Sequence, residues 1–422
     1  MVALLSAPAG WTQSGPEAVL DPVGGRTAEA LVRLAMEQNG ELLAGRQQIA
    51  AAQGSLLQAG LRPNPMFDVS GMKEPAGPMN SFMVGGALPL ELFRRRERRV
   101  EVARSVVRVS ELEQAERERQ LRAAVESKFG DILASLRDLQ FTGELLALNR
   151  EGLRLTELRA GQGAIPPLDA DLLRVEVNRI DALRADIESK LGVAVLELKS
   201  LAGLAPDETL RIRGSLEPAP LKITQEEAVG RALQSRPDLL SARATEQVSG
   251  ARLKQAETEG KPDASLSASY QRMDSGFGLN GITQTGELRR IQGIFHLVTV
   301  GASFSWPLRN QNQGAVAAAA AEIEAARRRR EYAELIARRE VAAAFLARDK
   351  ASAGLEIYRH GVRDQAQQNL AVIRRVYELG RSQLLDVIAE QRRLIDVEMG
   401  YTEALQRYYQ ATVRLRIAAN LD

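Results

Sequence analysis

The sequence predicts a mainly α-helical chain with a membrane β-barrel contribution, built from long coiled-coil helices and four short strands. Three observations carry this reading: a long-range internal duplication, two proline-free helical stretches of unusual length, and four segments of two-residue alternation, clean in the second repeat and rougher in the first. Aromatic residues make up only 4% and charged residues 26%, which is thin material for compact cores in a chain of 422 residues.

The duplication is read first. Thr27, Glu29, Val32, Ala35, Leu42-Leu43, Arg46, Gln58-Ala59 and Pro65 recur without a gap as Thr224, Glu226, Val229, Ala232, Leu239-Leu240, Arg243, Gln255-Ala256 and Pro262. Further on, Leu168-Asp169 answers to Leu385-Asp386, and Leu198, Ala202 and Leu204 answer to Leu415, Ala419 and Leu421. Residues 27–204 therefore form one structural repeat and 224–422 the other, joined by a linker at 205–223. Long duplicates of this kind make quasi-equivalent contributions to one assembly. Residues 1–26 are an N-terminal arm whose opening, Met1 to Ala9, reads as the tail of a signal peptide without a basic start.

Each repeat reads as helix, strand, strand, long helix, tight turn, helix. The first helix covers about 27–60, with Leu31, Leu34, Leu42, Ile49, Leu56 and Leu57 on its apolar face, and Gly60 and Asn64-Pro65 end it. Its counterpart opens on Thr224 and Glu227 in capping-box spacing. The long helices cover about 92–160 and 310–378. At 1.5 Å per residue each reaches about 100 Å, the length of two of the shorter helices stacked end to end. A long helix paired with two short ones gives a helical wall held by coiled-coil seams.

The turns from long to short helix are Gly161-Gln-Gly-Ala-Ile-Pro-Pro-Leu-Asp169 and Gly380-Arg-Ser-Gln-Leu-Leu-Asp386. Gly161, Gly163 and Gly380 supply the helix C-caps, and each aspartate falls near a new helix start.

Strand alternation is cleanest in the second repeat. Ala264, Leu266, Ala268 and Tyr270 interleave with serines and Gln271; Val298, Val300, Ala302, Phe304 and Trp306 interleave with Thr299, Gly301, Ser303 and Ser305. The first repeat offers Phe67, Val69 and Gly71, then Phe82, Val84, Gly86 and Leu88. Such segments suit a lipid-facing, water-lined barrel, and a half-buried soluble sheet fits the strands alone as well. Four strands cannot close a spanning barrel, and open edges are not tolerated in lipid, so several chains must pool their strands.

Composition and motifs exclude several functions. The 56 basic and 54 acidic residues are mixed along the same segments, giving net +2 and no basic face for nucleic acid. The absence of cysteine removes disulfides, thiol nucleophiles and thiolate metal sites. His296 and His360 have no partner at ligand spacing, and neither a nucleophile elbow nor a phosphate-binding glycine loop is present, so no enzyme, cofactor or metal site is expected. Arg327 to Arg330 read as a solvated helix face. Five methionines, Met66, Met72, Met79, Met83 and Met273, lie in or beside the strands, where flexible hydrophobes at lipid or subunit contacts are the first reading and soft-metal ligands the second.

The duplicated pattern, the Ala59-to-Pro65 segment AGLRPNP, Pro89 and Pro307 leading into long helices, the two Gly…Leu-Asp turns, and the closing Leu201-Ala-Gly203 and Ala418-Ala-Asn420 together resemble the TolC-type outer-membrane efflux family. The resemblance covers about 27–421. It implies a homotrimer in the outer membrane of a Gram-negative bacterium, with a twelve-stranded barrel embedded in outer-membrane lipid and a helical tunnel crossing the periplasm. Partners implied are a periplasmic adaptor (membrane fusion) protein and an inner-membrane pump, with the compact barrel loops and Asn-Pro segment leaning toward pumps of the resistance–nodulation–division type.

Carried over by position, the resemblance places Asp386 on a gate ring and Tyr377 on a tether of the closed tunnel. Asp169 takes the equivalent place in the first repeat. Where some members carry a second ring acid this chain has Ala389, with Glu390 beside it. The tip turns, with Gly161, Gly163, Gly380, Arg381 and Ser382, are the expected adaptor docking site; a solvated turn residue is the other reading of Arg381. The barrel strands are represented by Leu266, Tyr270, Val298, Val300, Phe304 and Trp306. The resulting expectation is a passive duct gated at its helical tip, for small molecules or metal ions. A protein-secretion duct and a soluble coiled-coil scaffold are the alternatives.

Overall fold

The computed structural model describes residues 19–75, 79–218 and 221–421, so the reading of Met1 to Ala9 lies outside the described residues. The elements run α1 (Ala28–Gln38), α2 (Gly40–Gly60), β1 (Met66–Lys73), β2 (Asn80–Pro89), α3 (Arg95–Gly161), α4 (Pro167–Ala202), α5 (Gln225–Ser235), α6 (Pro237–Glu259), β3 (Asp263–Ile282), β4 (Leu288–Ser305), α7 (Gln313–Ile357), α8 (Arg363–Glu378) and α9 (Leu384–Ala418). The element order of the first repeat recurs in the second.

The structure differs from the sequence reading in three ways. Each opening helix is two helices, broken at Asn39 and at Arg236, which take extended backbone angles of φ −63, ψ 124 and φ −64, ψ 125. The two breaks are equivalent positions. Asn39 Nδ2 donates to the Leu201 carbonyl at 3.0 Å, and the Arg236 guanidinium donates to the Ala418 carbonyl at 3.4 Å. A side chain reaching across to a helix end recovers a carbonyl that the helix itself leaves free. The second long helix is interrupted by a π turn over Tyr358–Val362, where the Tyr358 hydroxyl occupies the space over Gly400; a Cβ there would lie 2.6 Å from it. Finally, β3 and β4 run 20 and 18 residues, far beyond the alternating stretches, because the polar and glycine-rich segment after Tyr270 continues the ladder.

Residues separate into two compact units, each drawing on both repeats. One contains the described residues up to Gln47, Leu112–Leu240 and those from Tyr332; the other contains Gln48–Glu111 and Ser241–Glu331. In the first, the main core gathers Phe129, Ile132 and Leu133 of α3, Leu191 and Leu198 of α4, and Leu405 and Tyr409 of α9. The linker strand is tied in: Ile212 pairs with Leu20 and Arg26. Gly25 and Gly214 fit because an added Cβ would lie 2.5 Å from the Ile212 backbone and 2.7 Å from the Phe129 ring.

The second unit holds one sheet in the order β1-β2-β3-β4, antiparallel throughout. Among the described residues nothing pairs with the outer edges of β1 and β4 in this sheet.

Candidate functional site

The two helix-turn-helix connections lie in the first unit and share one geometry. At the end of α3, Ala164 N–H donates to Arg159 O and Gly163 N–H to Ala160 O, both at 2.9 Å; at the end of α8, Arg381 N–H donates to Val376 O at 3.0 Å and Gly380 N–H to Tyr377 O at 2.8 Å. These are paired six-to-one and five-to-two bonds closing a helix through a left-handed residue. Gly163 and Gly380 both sit at φ +71, which only glycine adopts at no cost. Gly161 does not share that role, since it is the last helical residue with an ordinary φ and open space where a Cβ would stand. Gly380→Ala is expected to destabilise its turn by about 1–2 kcal/mol and to speed amide exchange from Val376 to Asp386, while Gly161→Ala leaves exchange unchanged; hydrogen–deuterium exchange reads both.

The predicted gate residues fall into two groups. Tyr377 is half-buried and packs into the cluster formed by Ala366, Leu370, Val387 and Leu394. Burial raises its phenol pKa and the nearby Asp169 carboxylate raises it further, against the opposing charge of Arg159. The charge of Asp169, beside the first turn, thus reaches Tyr377, beside the second. Asp386 stands apart. Its exposed carboxylate folds back to accept the Gln383 N–H at 3.0 Å, capping α9 in the position where an acid is favourable to the helix dipole. Glu390 is bound by Arg393 one turn on. Arg381 is exposed, and the Ser382 hydroxyl is buried without a hydrogen-bond partner.

Two ionic clusters were missed by the sequence reading. Glu176 of α4 is fully buried and held by Arg179 at 2.7 Å and Arg392 of α9 at 2.8 Å. Burial alone would raise this carboxyl, but the two guanidiniums outweigh it and hold the pKa below its ordinary value. Higher on α9, Glu398 is 5% exposed and accepts from Arg363 at 2.7 Å and Gln367 at 3.0 Å. The Tyr401 ring lies between the guanidiniums of Arg137 and Arg363, 4.9 and 5.2 Å from its centre. The available signal was a carboxylate inside an apolar stripe: Leu173, Glu176, Val177 and Ile180 occupy one helical face, as do Leu394, Glu398, Tyr401 and Leu405.

Beside this cluster, burial raises the Asp138 carboxyl from 3.8 to about 6, against a hydrogen bond from Thr402 and the charges of Arg137 and Lys190. The folded chain therefore holds this proton more tightly than the unfolded one. The stabilisation from protonated Asp138 is full below about pH 4 and is lost as pH rises through about 6. Asp138→Asn is expected to remove that loss, gaining on the order of 2–3 kcal/mol at pH 7 relative to pH 4. Thermal midpoints of both proteins across that range check it.

In the second unit, the register sorts the sheet into two faces. Leu266 faces Leu88 and Ala302 across the ladder, Tyr270 faces Val84 and Val298, and Val300 and Phe304 lie on the same side with Phe67, Val69 and Phe82. These side chains are exposed, Val298 by 76% and Val300 by 78%. The opposite face carries Asp68, Ser70, Ser265, Ser267, Ser269, Gln271, Thr299, Gly301 and Ser303. Trp306 follows the last strand residue, Ser305, so it stands at the strand end and is 70% exposed. On the apolar face the polar residues begin again at His296, whose Nδ1 lies 2.6 Å from the Tyr270 hydroxyl, and at Arg272, Asp274 and Lys73. No helix among the described residues is long and apolar enough to cross a membrane. Among the described residues no cluster of His, Cys, Asp and Glu forms a metal site.

A duplicated helical chain ending in paired glycine turns, with a four-stranded sheet apolar on one side and polar on the other, defines the class of outer-membrane channel components. The chain belongs to the outer membrane efflux protein family, whose pattern it matches over residues 31–204 and 228–421. It is 22% identical over 395 residues to the cobalt-zinc-cadmium resistance protein CzcC of Cupriavidus metallidurans, covering 94% of this chain and 90% of that one. Its fold is similar to that of the outer-membrane channel OprN (TM-score 0.74, 19% identity, 99% and 96% of the two chains). It is also similar to the channel-forming CusC (TM-score 0.75, 17% identity, 98% and 99%). The protein is an outer-membrane efflux component that extends into the periplasm.

Proposed function

We propose that three copies of this chain form a passive exit duct: twelve pooled strands close a barrel in the outer membrane, and the helices form a tunnel entered at the paired turns. One observation carries this reading, the division of the sheet into an apolar and a polar face with both edges unpaired among the described residues. An unpaired edge is costly in lipid, and the alternation of strand direction is preserved if β4 of one copy pairs with β1 of the next. From Trp306 to His296 is ten residues, about 33 Å along a strand and about 25 Å across the bilayer at the usual tilt, which matches the apolar band of outer-membrane barrels.

The duct performs no chemistry of its own; an inner-membrane pump supplies energy and a periplasmic adaptor docks at the turns around Gly163, Gly380, Arg381 and Ser382. Metal ions are the favoured cargo, because the curated relative is named for resistance to cobalt, zinc and cadmium. Three copies of Asp386 around one axis would concentrate negative charge at the entrance, while Tyr377 and Asp169 link the two turns in the resting state. Asp386→Ala is expected to weaken multivalent-cation block of single-channel current in planar bilayers by about tenfold or more. Unchanged block rejects the gate assignment of Asp386.

A further inference from the structure

Four of the eight methionines converge on one residue of the sheet. Ser81 of β2 pairs with Met72 of β1 on one side and Met273 of β3 on the other. Along its own strand, Met83 stands two residues away on the same face. Met79 continues the alternation at minus two, its carbonyl accepting the Glu74 N–H at 2.9 Å. Lateral neighbours in a sheet are about 4.8 Å apart and residues two apart along a strand about 6.6 Å, so each of the four methionines stands within about 7 Å of Ser81, along the backbone.

This face also carries Ser70, Ser269 and Gln271, with Leu297 and Phe295 of β4 beside Gln271 and Met273. Met79, Ser81, Met83 and Met273 are half-buried there and Met72 is 55% exposed; Phe82 and Val84, on the opposite face of β2, are 50% and 40% exposed. At this height the opposite face carries Lys73, Asn80, Arg272 and His296, beyond the apolar band. The thioethers lie on the face opposite that band, at the hairpin end of β1 and β2.

We propose that Met72, Met79, Met83 and Met273 form a thioether site for a soft monovalent metal ion, silver(I) or copper(I), at the mouth of the duct. Thioethers are neutral, polarisable donors that select such ions over zinc or magnesium, and neutral donors release a passing cation more readily than a carboxylate cage. The proposal rests on the duct reading for its water-lined face, so channel formation is measured separately.

The test is equilibrium dialysis of the detergent-solubilised, full-length protein against silver nitrate in chloride-free buffer, with single-channel conductance recorded on the same preparations. Wild type is expected to bind one silver ion per chain that the Met72→Leu, Met79→Leu, Met83→Leu, Met273→Leu variant loses, with conductance retained because leucine keeps the volume. Met66→Leu serves as a control that retains binding. A tenfold excess of zinc should leave silver bound. If the fourfold variant forms no channel, Met83→Leu, Met273→Leu alone should weaken binding at least tenfold. Absence of silver binding by the wild type, equal binding by the variants, or displacement by zinc overturns the proposal. Loss of conductance in the wild type overturns the duct reading instead.

Discussion

Val300→Arg is expected to abolish assembly in the outer membrane. Val300 lies midway between Phe304 and His296 on the apolar face, paired with Ala268, and is 78% exposed in the single chain. If that face meets hydrocarbon, an arginine at the midplane costs about 2–4 kcal/mol. A trimer would carry three of them, enough to eliminate inserted protein at ordinary expression. Ser267→Arg, on the polar face opposite Gly301, is expected to insert normally and to reduce conductance. Recovery of heat-sensitive trimer from outer-membrane fractions separates the two. Normal insertion of the Val300 variant together with failure of the Ser267 variant would mean that the faces are assigned the wrong way round.

Phe129→Ala should be the most damaging single truncation in the helical unit. The ring is 2% exposed and lies in the core cluster with Leu133 and Tyr409, close enough to Gly214 that the linker has no room for a side chain there. Removing a buried phenylalanine costs about 3–5 kcal/mol, because the lost transfer energy is joined by the cavity left behind. Here three segments line that space, and the linker strand is fixed by its pairing with Leu20 and Arg26, so collapse into the cavity is restricted. A fall in thermal midpoint of about 5–10 °C is expected for the detergent-solubilised protein. A shift below 2 °C would show that the linker closes the gap.

Much of this architecture was legible because the physical demands are periodic. Alternation in Ala264 to Gln271 gave the faces of β3, and the duplication gave the equivalence of Leu168-Asp169 with Leu385-Asp386. The capping box at Thr224 is present in both its bonds. What was missed is specified by contacts between segments far apart in sequence. The break at Arg236 had a local signal, since Pro237 disfavours helical geometry in the residue before it. At Asn39 the only comparable signal is the following Gly40, and the carbonyl that its side chain satisfies belongs to Leu201. The long β3–β4 extension lacks two-residue alternation, since Gly, Asp, Asn and Arg interrupt its Leu, Ile and Phe residues, and it is ordered by the pairing of the two strands with each other.

At the candidate site, the two Gly…Leu-Asp segments are turns between helices, and sequence could not separate the roles of residues within them. Asp169 and Asp386 occupy the same position in the two repeats. The charge of Asp169 reaches Tyr377, whereas Asp386 caps its own helix. Glu176 shows the same limit: its residue type suggests a surface, and only the arginines at 179 and 392 make its burial tolerable.

The proposed duct requires β1 of one chain to pair with β4 of another. The protein has no cysteine, so introduced thiols react alone. Ser70→Cys on β1 can be combined with cysteine in place of Thr299, Gly301 or Ser303 on β4 and treated in membranes with a crosslinker spanning about 8 Å. Within one chain β1 and β4 are three strand spacings apart, about 14 Å, beyond its reach. The account predicts covalent dimers and trimers from at least one of these pairs, and crosslinking that yields only monomers at every pair would contradict it.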